Sequence, residues 1–378
     1  MKKIFLLIFF ALVIFLGINI ISKFHKAYQQ IVVNTENKNL IDAALKNNKP
    51  FGILLLGDQG WEGGANANNG PYLTDSILLV YVNPRIKSVT LISIPRDLWV
   101  KIPTSGWDGD YWKINAAYEL GMDDKGYPQK LTQFKGSTDP GNLAKYMVSA
   151  VTGLPVDRFV AVDFSGFTKA IDFLGGVDIN VQTTFDDYEY PIAGKEADPC
   201  GHSEADIKTF VATASADMQL LQYFPCRYEH IHFAAGIQHM DGATALKYVR
   251  SRHSIQDPTD FGRARRQRAL LEAVKNKIIS FGFIPKILPF VSTVKNNVST
   301  DLAWDEMTTL VANANTLKDY QIHDLALTDQ NILMDSFSQD GQAVLIPRAG
   351  FGQWDSVHNF VEASVSAALK LLTPTPKK

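Results

Sequence analysis

Apolar side chains form short continuous runs in the first third of the folded part of the chain, and each run ends at a glycine, an asparagine or a proline. The clearest are FGILLLG at 51–57, SILLVYV at 76–82 and VTLISI at 89–94. Apolar runs of this length with turn residues at their ends are typical of buried strands. The second and third runs are joined by the turn-like NPRIK, so we expect them to pair as an antiparallel hairpin.

The segment RFVAVDFSGFTKAIDFLGGVDINV at 158–181 changes its spacing from strand to helix and back. It predicts a β-α-β unit in which glycines end the helix. Residues 182–240 have weak periodicity and many polar side chains, and we interpret them as an irregular insertion. From residue 241 to 280 the pattern predicts a helix at each end with a charged loop between them. Together these elements predict an α/β protein, a three-layer α/β/α domain with a central mixed sheet.

The chain opens with an apolar run from Ile4 to Ile21 in which only Asn19 is clearly polar. As a helix this run would span roughly 27 Å, enough for the hydrocarbon core of a bilayer. A cleaved signal peptide is the alternative, but no run of small residues follows that would suit cleavage. We therefore expect one uncleaved transmembrane helix in the cytoplasmic membrane, with the rest of the chain on the extracytoplasmic side.

The expected organisation has four parts. They are a membrane anchor at 1–26, a stalk or leading helix at 27–50, a main α/β domain at 51–284, and a smaller C-terminal α/β region with a disordered tail at 285–378.

Composition places few further limits on function. The chain has 378 residues, of which 46% are hydrophobic and 20% charged, and a formal net charge of −2. These values suit a folded globular protein and exclude a fibrous or disordered one. With no overall positive charge and no DNA-reading motif, we expect no nucleic-acid partner, and any anion-binding site must be local.

The chain contains two cysteines, Cys200 and Cys226. In an exported protein they are a candidate disulfide that would stabilise the fold by about 3 kcal/mol. The alternatives are two free thiols, or a metal site that also uses His202, His230 and His232. The spacing of these five residues matches no common zinc pattern.

The predicted hairpin places Asp75, at the start of its first strand, beside Arg96 and Asp97, which follow its second strand. Taken alone, a carboxylate beside a guanidinium indicates a structural salt bridge. A local excess of positive charge further along the chain favours a site instead. Between residues 247 and 268 the sequence has seven Lys or Arg residues against two Asp.

Within that basic stretch, Arg250 and Arg252 are two positions apart and would share one face of an extended segment. Arg263 and Gln267 continue the helical apolar stripe of 270, 274 and 278, so they belong to the buried face of the second helix. An ordinary solvated basic face is the alternative, and it suits Arg265 and Arg268. Arginines on a buried face need an anion, and planar guanidinium groups suit phosphate best.

Several motifs together resemble the LytR-CpsA-Psr family over roughly residues 50–280. They are LTDSILLVYVNPRIKSVTLISIPRDLWV, KINAAYELG, GFTKAIDFLGGVDINV, and MDGATALKYVRSRH followed by DFGRARRQ. The resemblance implies a phosphotransferase of cell-wall assembly, which moves a glycopolymer from a polyprenyl-pyrophosphate carrier to peptidoglycan. It also implies contact with membrane lipid.

The resemblance implies a role for each candidate site residue. Mg²⁺, or Mn²⁺, would be held by Asp75 and Asp58. The pyrophosphate would be bound by Arg96, Arg250, Arg252, Arg263 and Gln267, with Lys113 adding charge. The catalytic group would be Arg96, Asp97, Arg250 and Arg252. Asp97 is expected either to orient Arg96 or to act as the base for the acceptor hydroxyl, and we favour orientation because a carboxylate among arginines is a weak base.

One position departs from the family pattern. The family usually has an arginine two residues before the metal-binding aspartate, and this chain has Leu73 there. Two other functions therefore stay open. One is hydrolysis of the same polyprenyl-pyrophosphate glycan, and the other is a non-catalytic glycolipid-binding or regulatory protein.

Overall fold

The computed structural model describes residues 39–58, 72–137, 139–195, 197–213, 222–256, 260–280, 290, 293–294, 296–317 and 319–370. The predicted anchor at 1–26 lies outside these residues, as do the first half of the predicted stalk, 27–38, and the last residues of the tail. Across the ranges just given, no helix is both long enough and apolar enough to cross a membrane.

A six-stranded mixed sheet lies at the centre of the protein. In spatial order its strands are β11 (Val298–Thr300), β6 (Arg158–Asp163), β1 (Phe51–Asp58), β2 (Thr74–Asn83), β3 (Ser88–Ser93) and β12 (Gln321–Ala326). β2 pairs antiparallel with both β1 and β3, and β11 pairs antiparallel with β6. β6 runs parallel to β1, and β12 runs parallel to β3. The predicted hairpin is confirmed as β2–β3.

Four antiparallel ladders of two strands surround the sheet. They are β4 (Trp99–Lys101) with β5 (Tyr111–Lys113), β7 (Val177–Val181) with β10 (Gly236–Met240), β8 (Phe185–Pro191) with β9 (Tyr228–Phe233), and β13 (Leu333–Phe337) with β14 (Ala343–Pro347). The described part of residues 182–240 is therefore more regular than the sequence indicates.

The predicted β-α-β unit contains the expected strand, helix and strand, but its two strands do not belong to the same sheet. β6 belongs to the central sheet, whereas β7 pairs with β10 outside it. The residues of β7 alternate strictly between buried and exposed. That alternation fits a strand with one solvent-facing side, not a strand covered on both sides within a parallel sheet.

Several of the described helices pack on one face of the sheet and several on the other. The described helices are α1 (Leu40–Lys46), α2 (Ala116–Met122), α3 (Asn142–Thr152), α4 (Phe164–Phe173), α5 (Glu204–Thr213), α6 (Gly242–Arg250), α7 (Asp260–Ser280), α8 (Trp304–Ala312), α9 (Ala314–Leu317) and α10 (Asp355–Lys370).

Alternate residues of β1 separate two hydrophobic clusters. Leu54 and Leu56 pack into a large cluster with side chains from α2, α3 and α10. Phe51 and Ile53 point the other way and pack with side chains from α1 and α8. We call the first side the packed face of the sheet. The second side holds the α1–α8 cluster at one end and the site described below at the other.

The described residues after 285 form helices and strands, and they are joined to the main sheet. β11 and β12 are strands of that sheet, and α10 supplies Val357, Val361 and Val365 to the packed face. The predicted boundary at 284 therefore does not separate two hydrophobic cores.

Cys200 and Cys226 form a disulfide, with their Cα atoms 5.7 Å apart. This confirms the pairing and excludes both the free thiols and the five-residue metal site. His230 Nε2 and His232 Nδ1 instead lie 2.9 and 2.8 Å from Asp186 Oδ1.

Candidate functional site

A cavity of about 550 Å³ lies between the sheet and helices α4, α6 and α7, on the side opposite the packed face. Most of its wall is apolar. The sheet contributes Leu55, Leu78 and Val160, and the helices contribute Phe167, Leu246 and Leu270. A cavity of this size with an apolar wall suits a hydrocarbon ligand.

Local interactions fix two helices of the cavity wall. The Asp163 side chain caps α4, where its Oδ1 accepts a hydrogen bond from Gly166 N at 2.6 Å. Gly242 allows α6 to approach α4 closely, because a Cβ atom at this position would lie 2.2 Å from the backbone oxygen of Thr168. The start of α6 is therefore held against α4, and α6 ends at Arg250 beside the cavity.

Five of the predicted site residues border this one cavity: Asp75, Arg250, Arg252, Arg263 and Gln267. They come from the start of β2, the end of α6 with the residues after it, and the first turns of α7. The structure thus brings together side chains that are far apart in the sequence. It gives an otherwise apolar cavity a charged end, at which three arginines lie with the carboxylates of Asp75, Asp187 and Glu189.

Arg250 is the last residue of α6. The predicted extended segment from 250 to 252 is therefore wrong at this residue. Its Nη1 donates to the Tyr190 hydroxyl at 3.3 Å, and its guanidinium carbon lies 3.9 Å from the centre of the Phe164 ring. Arg252 follows in the loop and still borders the cavity. An aromatic ring under the guanidinium holds its orientation while leaving its edge available to an anion.

The predicted stripe on α7 is confirmed as far as residue 274. Arg263, Gln267, Leu270 and Val274 all line the cavity. Gln267 Nε2 donates to Ser76 Oγ at 3.1 Å, which ties the helix to the start of β2.

The other arginines of the basic stretch do not line this cavity. Arg268 pairs with Asp324 at 2.5 Å and with Glu272 at 3.3 Å, and Arg265 is exposed. The solvated-face interpretation therefore suits these two, as expected. Arg266, which the sequence did not single out, is 4% exposed, and its Nη2 donates to the Ser251 carbonyl at 2.7 Å. It holds the loop that carries Arg252.

Arg96 reaches the cavity through Asp75. Arg96 Nη1 lies 2.5 Å from Asp75 Oδ1, and Lys113 Nζ lies 2.8 Å from Asp97 Oδ1. Arg96 Nε is 3.5 Å from Asp97 Oδ2, which is an ion pair without a good hydrogen bond. Burial lowers the pKa of Arg96, but the two neighbouring carboxylates offset this and leave the pKa raised. Four charges of alternating sign therefore form a chain that ends at the cavity rim.

Asp58 and Leu73 do not border the cavity formed by the described residues. Asp58 is 4% exposed at the end of β1, where its partner across the ladder is Thr74. Because Thr74 directly precedes Asp75, Asp58 lies beside the end of β2 that carries Asp75. The Leu73 side chain packs against the packed-face cluster.

The sequence did not indicate the acidic and aromatic side chains that β8 adds to the site. Asp187 is 1% exposed and accepts hydrogen bonds from Ser251 Oγ at 2.7 Å and from the backbone N–H groups of Arg252 and His253 at 3.2 and 3.3 Å. It fixes the loop after α6. Tyr190 faces Arg250, and burial raises the pKa of its hydroxyl although the arginine opposes the shift. In the β8 sequence FDDYEYP, positions 185, 187 and 190 are buried. The aromatic residues at 185 and 190 are the weak sequence signal for this buried face.

The fold and the site together define a class: an α/β protein with an apolar cavity that has arginines at its rim, suited to a ligand with an apolar tail and an anionic head. Residues 14–346 match the LytR_cpsA_psr family model. The chain therefore belongs to the LytR-CpsA-Psr family.

Two curated relatives carry the name polyisoprenyl-teichoic acid–peptidoglycan teichoic acid transferase. Enterococcus faecalis TagU is 26% identical over 81% of this chain and 81% of its own length. Bacillus subtilis TagV is 26% identical over 88% of this chain and 72% of its own length. The crystal structure of B. subtilis TagV has a TM-score of 0.53 at 25% identity, covering 86% of this chain and 99% of that one. These relatives are named as transferases, which supports a transferase activity for this chain.

Proposed function

We propose that this protein is a membrane-anchored phosphotransferase that moves a glycopolymer from a polyprenyl-pyrophosphate carrier to peptidoglycan during cell-wall assembly. The observation that carries the proposal is a single cavity that is apolar along its wall and bordered by three arginines at its rim. The names of the two relatives favour a teichoic-acid type of glycopolymer.

In this proposal the polyprenyl tail occupies the apolar part of the cavity and the pyrophosphate lies at Arg250, Arg252 and Arg263. Burial of a long hydrocarbon supplies most of the binding free energy, at about 25 cal/mol per Å² of apolar surface. Guanidinium groups then fix the head group, because they bind phosphate oxygens in pairs. The anionic head and the apolar tail thus set the direction in which the donor binds.

Mg²⁺ is the proposed cofactor, and Asp75 is the residue that fits it best. Mg²⁺ in phosphate-handling sites is usually bound by one or two carboxylates together with substrate phosphate oxygens. The half-buried Asp75 carboxylate borders the cavity, and Asp58 lies at the adjacent strand end. When bound, the ion would neutralise charge on the pyrophosphate oxygens.

The proposed reaction is an in-line displacement at the phosphorus that carries the glycan. A hydroxyl oxygen of the acceptor forms a bond to that phosphorus and its proton passes to water, while the bond to the bridging oxygen breaks and polyprenyl phosphate leaves with the electron pair of that bond. The arginines stabilise the charge that grows on the bridging oxygen. Asp97 acts by orientation, because it holds Arg96 between two carboxylates and also binds Lys113.

The disulfide supports the proposed location outside the cytoplasm, since such bonds persist in oxidising compartments. The anchor predicted at 1–26 would hold the cavity close to the carrier lipid.

The test uses the full-length protein, Mg²⁺ and a polyprenyl-pyrophosphate oligosaccharide, with and without a peptidoglycan acceptor. We expect acceptor-linked product with the wild type, and a loss of at least about 100-fold in rate for Arg250→Ala. Arg85→Ala is the matched control, because Arg85 is exposed in the turn between β2 and β3, at the other end of the hairpin. Full transfer by a folded Arg250→Ala variant would reject the site. Release of polyprenyl phosphate without transfer would indicate a hydrolase, and binding without release would indicate a binding protein.

A further inference from the structure

Three aromatic side chains form a row on the surface close to the site, and we call Trp99, Tyr111 and Phe351 the aromatic platform. The ring centres of Trp99 and Tyr111 are 6.3 Å apart with planes 19° from parallel, and the Phe351 ring centre is 4.8 Å from that of Tyr111. Tyr111 is 38% exposed and Phe351 51% exposed. Contiguous exposed rings of this kind mark binding surfaces.

The pairing of β4 with β5 explains why these rings face outwards. Val100 lies opposite Trp112, and both pack into the packed-face cluster. Their neighbours must point the other way, because side chains alternate along a strand. The outward set consists of Trp99, Lys101, Tyr111 and Lys113.

The platform is continuous with the site. Trp99 lies directly across the ladder from Lys113, whose ammonium group binds Asp97 at 2.8 Å. Asp97 neighbours Arg96, which binds Asp75 at the cavity rim. The chain of four charges therefore leads from the end of the platform to the place where the pyrophosphate is proposed to lie.

The charges around the rings favour a sugar over a membrane surface. Lys101 binds Asp108 at 2.5 Å, and Lys113 binds Asp97, so each lysine of this face is balanced by an aspartate. Attraction to anionic lipid requires an excess of basic side chains. Aromatic rings can stack against the C–H face of a pyranose, while neighbouring charged groups bind its hydroxyl and amide groups.

We propose that the aromatic platform binds the glycan strand of the acceptor, a chain of N-acetylated pyranoses, and so presents its hydroxyl to the donor phosphorus. This rests on the proposed function. The platform belongs to elements on the packed face, and the lipid cavity lies on the opposite face of the sheet. An in-line displacement requires the attacking oxygen and the leaving group to lie on opposite sides of the phosphorus. A platform across the sheet edge from the leaving lipid therefore suits the acceptor and not the donor.

The first experiment measures binding alone. Full-length protein in detergent is titrated with N-acetylglucosamine oligosaccharides and with lipid-free peptidoglycan glycan strands, and binding is followed by calorimetry. We expect the double variant Tyr111→Ala with Phe351→Ala to bind about tenfold more weakly than wild type. Tyr188→Ala is the matched control, because Tyr188 is 53% exposed on β8 and stacks on His230 away from the platform. Tyr111→Phe keeps the ring and should bind like wild type.

The second experiment measures transfer at varied acceptor and varied donor concentrations. We expect the double variant to need about tenfold more acceptor for half-maximal transfer, with an unchanged requirement for donor. A changed donor requirement with an unchanged acceptor requirement would assign the platform to the donor glycan and overturn the inference. Equal glycan binding by wild type and double variant would also overturn it. So would a double variant that binds glycan normally but no longer binds anionic vesicles.

The two proposals fail in different ways. If wild type binds the glycan strands through the platform but transfers nothing to them, the proposed function fails and the platform stands as a glycan site. If transfer proceeds and the double variant has normal acceptor kinetics, the proposed function stands and the platform inference fails.

Discussion

The two faces of the central sheet are built from the same strands and have opposite properties. On the packed face, Leu54, Leu79 and Ile92 are fully buried against helices and leave no room. On the other face, their neighbours Leu55 and Leu78 line a cavity of about 550 Å³. Both sets are aliphatic. The difference lies in the helices that cover them. Helices α2, α3 and α10 pack directly on the sheet, whereas a cavity separates α4, α6 and α7 from it.

This comparison shows that a hydrophobic pattern predicts which side of a strand is buried, but not whether a helix or a ligand covers it. A leucine on a strand gives the same sequence pattern in both cases. What marks the cavity face is the set of arginines at its rim. The predictions below test this difference between the faces, starting from the largest expected effect.

Leu79→Ala should lower the free energy of unfolding by about 4 kcal/mol, because it opens a hole in a fully packed region. Leu78→Ala, one residue along the same strand, should cost only about 1 kcal/mol, because its side chain already borders open space. Urea unfolding followed by circular dichroism measures both. Equal losses would mean that the cavity is filled by side chains in solution.

Replacing both Cys200 and Cys226 with serine should lower the free energy of unfolding by about 3 kcal/mol, as expected for a closed loop with a sequence separation of 26. The bond lies beside the β8–β9 ladder, so it supports the cavity side and not the packed face. Thermal unfolding with and without a reducing agent checks this. Reductant should shift the wild type and leave the double variant unchanged, and an unmoved wild type would contradict the prediction.

Val162→Trp should weaken donor binding about tenfold, or about 1.4 kcal/mol, because the indole would occupy the space in which we propose that the lipid tail binds. The fold should tolerate it, since the cavity has room for a larger side chain. Ile237→Trp on β10 is the control, because Ile237 is 79% exposed. Binding of a polyprenyl pyrophosphate measured by calorimetry separates the two variants. Normal affinity in Val162→Trp would place the lipid elsewhere.

The smallest effect concerns acid stability at the edge of the packed face. Burial raises the pKa of Asp124, but hydrogen bonds from the Ser137 and Gly136 backbones and the nearby Lys130 outweigh it and lower the pKa to about 2. A carboxylate with a lowered pKa stabilises the fold above its ordinary value of 3.8, and that stability is lost as the pH falls towards 2. Asp124→Asn should therefore remove about 1 kcal/mol of stability at pH 7 and almost none at pH 2. Unfolding curves at several pH values test this, and a pH-independent loss would refute it.

The parts of the site that follow from local periodicity were predictable. Helical spacing alone placed Arg263 and Gln267 on the face of α7 that borders the cavity. The turn at NPRIK fixed the β2–β3 pairing and thereby brought Asp75 next to Arg96. Both results depend on contacts between residues that are close in sequence.

The parts that depend on long-range pairing were not predictable. The sequence of β7 fits several partners, and only the folded chain shows that β10 is the one used. Asp187 is an ordinary acidic residue in a polar segment until the Ser251 hydroxyl and the following N–H groups meet it. Arg250 was expected in extended backbone because nothing near it in sequence shows that α6 continues to that residue.

The edge strand β12, residues 321–326, pairs in parallel with residues 88–93 of β3. A chain that emerges from the ribosome N-terminus first therefore cannot complete the sheet until nearly all of it has been synthesised. Pairing over such a distance is slow, and until it occurs β3 has an open edge that can pair with other chains. Versions shortened at residue 284 would lack this strand permanently, and we expect them to aggregate during synthesis even though every proposed ligand of the pyrophosphate would be present.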